Sequence, residues 1–70
     1  MKIEELIKGR GDNEQVNIDG VQVHVHVLKR MMQDGYTDIL HYKENNTFTL
    51  WGKNCSACFT PEQLYERAKA

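Results

Sequence analysis

Two small sets of residues in this chain have side chains that could do chemistry. His24-Val25-His26 puts two imidazoles two residues apart, and Cys55-Ser56-Ala57-Cys58 puts two thiols at C-x-x-C spacing. On a strand, alternate residues project to the same side, so His24 and His26 could present both rings to one ion. Together with Cys55 and Cys58 they make a His2Cys2 set of the kind that holds tetrahedral zinc. A structural metal would also suit a short chain, because binding free energy becomes folding free energy. The competing reading makes these strand histidines ordinary surface residues, with the cysteines packing as small apolar groups.

Other uses of the thiols fit the sequence less well. Redox catalysis wants the C-x-x-C at a helix N-terminus, where the dipole lowers the thiol pKa. Here Thr60 is the expected helix cap, and Cys58 precedes it by two residues. Hydrolysis wants Cys58 or a serine beside a histidine such as His41 and an orienting carboxylate. No local motif joins them, so no catalytic residue and no cofactor is assigned, and the chain is expected not to be an enzyme.

Composition bounds the remaining classes. The 70 residues carry nine Lys/Arg against ten Asp/Glu, a net charge of −1. The basic residues are scattered, which disfavours general affinity for a phosphate backbone. No stretch approaches the roughly 18 apolar residues of a membrane span, and the start lacks the apolar segment of a secretory signal. A cytoplasmic location without membrane contact is therefore expected, with both cysteines as thiols. Arg10-Gly11-Asp12, Asn45-Asn46-Thr47 and Asn54-Cys55-Ser56 match extracellular patterns but read as chance triplets in polar loops.

One domain spanning 1–70 is expected, and a chain this short buries only about 60% of its unfolded surface. Ile3, Leu6 and Ile7 recur at helical spacing within 2–8, with Gly9 as a stop. Next, Asp19-Gly20 supplies the two positive-φ positions of a tight hairpin turn and pairs Ile18 with Val21 and Val16 with Val23. Asp34-Gly35 offers a second such turn, pairing Val27 with Tyr42 and Lys29 with Leu40. A three-residue loop at Glu44-Asn45-Asn46, with Asn46 left-handed, then pairs Tyr42 with Phe48 and Leu40 with Leu50.

These registers predict a four-stranded antiparallel meander between an N-terminal and a C-terminal helix, an α+β fold. The C-terminal helix opens with a capping box, Thr60-Pro61-Glu62-Gln63, and carries Leu64, Tyr65 and Ala68 on its apolar side. One sheet face then holds Val16, Ile18, Val21, Val23, Val25, Val27, Met31, Tyr36, Leu40, Tyr42, Phe48 and Leu50. Lys29, Gln33 and Asp38 interrupt it. The rival reading folds 27–34 as a helix with Leu28, Met31 and Met32 as its stripe and Gly35 as its stop.

In the meander, the opposite face collects Leu28, Arg30, Met32, Ile39, His41 and Trp51. Trp, Met and Arg are enriched at protein interfaces. The expectation is a non-enzymatic protein-binding module, such as a small regulator or inhibitor of a larger complex. Its partner would be another protein, and an exposed edge strand could add a second copy as a homodimer. The alternative is a sheet face that binds RNA or single-stranded DNA, using Trp51, His41, His26, Arg30 and Lys43 for stacking and charge.

Overall fold

A computed structural model describes residues 1–69. In chain order the elements are α1 (Ile3–Ile7), β1 (Gln15–Ile18), β2 (Val21–His24), α2 (Val25–Gln33), β3 (Tyr36–Tyr42), β4 (Thr47–Gly52), β5 (Ser56–Phe59) and α3 (Pro61–Lys69). The fold mixes helices with antiparallel sheets, as expected. The strands form two sheets, however: a β1-β2 hairpin and a three-stranded sheet ordered β3-β4-β5. None of the helices is long and apolar enough, among the described residues, to cross a membrane.

The first hairpin forms in the expected register, with Val16 opposite Val23 and Ile18 opposite Val21. Its turn residues have φ of 56° at Asp19 and 90° at Gly20, as a type I′ turn requires. The meander ends there. Residues 25–33 are α2, so the helical reading of this stretch replaces the strand reading. Helical spacing lets Val25, Val27, Leu28 and Met31 all reach the core, while Lys29 and Gln33 stay at the surface. A strand would have buried Lys29 and Gln33 and exposed Leu28, an arrangement with a higher desolvation cost. Gly35, at φ 104°, ends the helix in the left-handed conformation, so the Asp34-Gly35 pair is a helix stop and not a hairpin turn.

The second departure lies in β3. Its loop to β4 has four residues, 43–46, and Tyr42 pairs with Thr47, His41 with Phe48 and Ile39 with Leu50. Asn46 is left-handed as expected, at φ 50°. The loop is one residue longer than predicted, and a one-residue slip sends every side chain of a strand to the other face. An irregularity between Tyr36 and Asp38 resets the alternation, so Tyr36 stays inside together with Ile39 and His41.

α2 is the centre of the packing, touching α1, α3, β2 and β3. Its four buried residues join Ile3 of α1, Leu64 of α3, Val16, Ile18 and Val23 of the hairpin, and Tyr36, Ile39, Phe48 and Leu50 of the larger sheet in one core. The capping box of α3 is reciprocal: Gln63 N–H donates to Thr60 Oγ1 at 3.2 Å, and Thr60 N–H donates to Gln63 Oε1 at 3.0 Å. Asp34 ties α2 to α3 by accepting from Arg67 Nε at 2.8 Å. Arg67, Arg30 and their hydrogen bonds hold the Asp34 carboxyl below its ordinary range, with the Arg67 bond the largest cause.

Candidate functional site

The three-stranded sheet has one face on the core and one open. Alternation along the strands places Leu40 and Tyr42 of β3, Thr47, Thr49 and Trp51 of β4, and Ser56 and Cys58 of β5 on the open face. Leu40 is 39% exposed and Tyr42 48%, which makes them two of only four large hydrophobic residues in the described chain at that level of exposure. Leu40 stands opposite Thr49, which stands opposite Cys58, so a row crosses all three strands. Trp51, one step diagonal from Leu40, is partly exposed and does not belong to the core cluster. At the rim, Lys2 Nζ lies 3.5 Å from Asp38 Oδ2.

This is not the face expected from the sequence. Of its six residues, Leu28 and Ile39 are fully buried and His41 is 9% exposed, so they form core and not surface. Arg30 and Met32 lie on α2, where Arg30 Nε sits 3.4 Å from Asp34 Oδ1. Trp51 alone remains on an open sheet face. The residues that reading missed are Leu40 and Tyr42. The signal for them was present in Lys29, Gln33 and Asp38, three polar residues that the meander forced into its core face.

His41 has become a structural staple. Its ring, stacked at a tilt 4.7 Å from Phe48, places Nδ1 3.1 Å from Asp19 Oδ2 and Nε2 2.9 Å from Asn46 Oδ1. Asp19 and Asn46 are, among the described residues, the two non-glycine ones with positive φ. One buried imidazole thereby joins the turn of the β1-β2 hairpin to the turn of β3-β4. The Asp19 carboxylate can only accept, so Nδ1 is the donor in that contact. The bond to His41 is the main cause that lowers the Asp19 carboxyl, with Lys43 adding to it.

The four candidate zinc ligands are dispersed. Tyr65 Oη lies 2.8 Å from His24 Nδ1 and also accepts from the His24 backbone N–H at 3.2 Å, while Gln15 Nε2 lies 3.2 Å from His24 Nε2. The His26 ring is 5.3 Å from that of His24. Cys58, in contrast, sits on the open sheet face with Sγ 3.4 Å from Thr49 Oγ1, and Cys55 Sγ lies 3.6 Å from Gly35 O. Both thiols are free and exposed. Among the described residues no group of three or more His, Cys, Asp or Glu side chains is placed to hold a metal ion. The two histidines stay side by side, and the set is broken because Cys55 and Cys58 lie before and on β5 of the other sheet.

The residues considered for nucleic acid are also divided. Trp51 is on the open face, His41 is inside, and His26 and Arg30 are on α2. Comparison with protein-family models, with curated proteins and with solved structures returns no match.

Proposed function

We propose that the protein is a non-enzymatic protein-binding module, a small regulator or inhibitor of a larger assembly, and that its contact surface is the open face of β3, β4 and β5. The observation that carries this reading is the exposure of Leu40 and Tyr42 beside Trp51 on a sheet face that no part of the core occupies. A chain this short needs nearly all of its apolar burial for folding, so large side chains left in solvent on a flat face favour a contact role. Aromatic residues flanked by threonines suit such a face, since they contribute contact area at low entropic cost. The histidines support the non-enzymatic part. His41 has both ring nitrogens engaged, and His24 is held by Tyr65 and Gln15.

The test is capture from the host by the full chain, compared with Leu40→Ser/Tyr42→Ser and with Met32→Ser on α2. The double variant should lose the captured protein while keeping the native circular dichroism spectrum, and Met32→Ser should retain it. Equal capture by all three would refute the assignment of this face.

A further inference from the structure

The two edges of the larger sheet differ. At the β3 edge the chain's own start is paired: the Met1 amine donates to Ile39 O at 3.0 Å, Ile39 N–H donates to Met1 O at 2.9 Å, and Lys2 bridges to Asp38. Among the described residues no strand flanks β5 on its far side. We propose that a second copy of this chain adds to the free edge of β5, joining the two sheets into one six-stranded antiparallel sheet across a two-fold axis at Ala57.

The backbone polarity of β5 follows from the paired edge. Because Ile39 turns its N–H and C=O toward Met1, its pairing with Leu50 is of the non-hydrogen-bonded kind. Alternation then makes Leu50 with Ala57 a hydrogen-bonded pair, and Thr49 with Cys58 and Trp51 with Ser56 non-hydrogen-bonded ones. The bond from Gly52 N–H to Cys55 O at 2.8 Å, one step further along, gives the same phase independently. The N–H and C=O of Ser56 and of Cys58 therefore point away from the sheet. Both residues are exposed.

Such an edge is a template for another strand unless something blunts it. Ser56–Phe59 contains no lysine, no proline and no charged residue. An antiparallel second copy with Ala57 on the axis sets Ser56 opposite Cys58 of the second copy, and Cys58 opposite its Ser56. All four outward groups of each edge are then satisfied by reciprocal bonds. At the axis the two Ala57 residues form the close, non-hydrogen-bonded pair, which a small side chain permits. The open faces, with Leu40, Tyr42 and Trp51 of each copy, become continuous across the seam. This inference stands apart from the proposed function, because it rests on the backbone of β5 and not on the open-face side chains. So short a seam buries less than the roughly 800 Å² per partner of a stable interface, so association should depend on concentration.

Sedimentation equilibrium of the full chain in reducing buffer, from micromolar to millimolar, should show the mass rising from 8.2 kDa toward twice that value. Cys58→Pro, which removes an outward N–H without touching the ladder to β4, should remain monomeric. Cys58→Lys should do the same and replaces it if the proline variant does not fold. Cys58→Ser and Leu40→Ser/Tyr42→Ser should both associate as the parent does. A parent that stays monomeric to millimolar overturns the proposal, as does a Cys58→Lys variant that associates normally. Loss of the dimer in Cys58→Ser would assign it to a disulfide, and loss in the double variant to the open face; either result overturns the edge.

Discussion

Ile39 and Leu40 are neighbours whose burial depends entirely on the register of β3, and truncating each to alanine measures that register directly. Ile39 is fully buried in the core, and Leu40 is 39% exposed on the open face. Removing a fully buried aliphatic side chain costs about 2–5 kcal/mol, because the transfer free energy is lost and a cavity remains. Leu40 keeps much of its surface in water already, so its truncation should cost no more than about 1 kcal/mol. A domain of this size has a total stability of only about 3–5 kcal/mol, so Ile39→Ala should sit near the folding threshold while Leu40→Ala stays well folded. In urea, with a slope of about 1 kcal/mol per molar for a small domain, the Ile39→Ala midpoint should fall by at least about 2 M and that of Leu40→Ala by less than about 1 M. Circular dichroism at equilibrium reads both. Equal losses would refute the assignment of opposite faces. A reversed order would restore the register that pairs Tyr42 with Phe48.

Two further predictions follow from the loops and helix ends. A β-carbon at Gly52 would lie 2.0 Å from Gly35 O, a backbone atom at the end of α2 that cannot move cheaply; Gly52→Ala should therefore cost at least about 2 kcal/mol, read as a drop in melting temperature, and an unchanged melting temperature would refute this close approach. The Asp34 carboxyl is lowered from its ordinary 3.8 chiefly by its hydrogen bond from Arg67, so its contribution is present above the unfolded pKa and is lost as pH falls through the lower folded value. The stability gap between the parent and Asp34→Asn should accordingly hold near neutral pH and shrink below about pH 4; a gap that widens on acidification would contradict the ion pair.

Local chemistry was legible wherever a single residue type decided the backbone. Asp19-Gly20 specified its turn and register, Asn46 its left-handed position, and Thr60 with Gln63 their reciprocal cap. The stretch from Val21 to Met32 was not legible in the same way. Its valines at 21, 23, 25 and 27 satisfy a period of two, while Val25, Leu28 and Met31 satisfy a helical period, and the boundary at His24 has no side-chain cap to mark it. Gly35 did not separate the cases, because a hairpin turn and a helix stop both use positive φ. β5 was hidden for another reason: Ser-Ala-Cys-Phe has no strong strand signal and reads as the loop around a C-x-x-C.

The sequence by itself determined the α+β composition, the first hairpin, both terminal helices and most of the apolar residues available for a core, because these depend on contacts within a few residues. Tertiary structure alone decided which of them face inward in the second half of the chain. Folding 25–33 as a helix buries four apolar side chains and frees Lys29 and Gln33, a gain that appears only once α1, α3 and the sheet close around α2. One extra loop residue then turned Ile39 and His41 inward and left Leu40 and Tyr42 on the open face beside Trp51. A strand has two nearly equivalent faces, and the partner it packs against determines which one meets water.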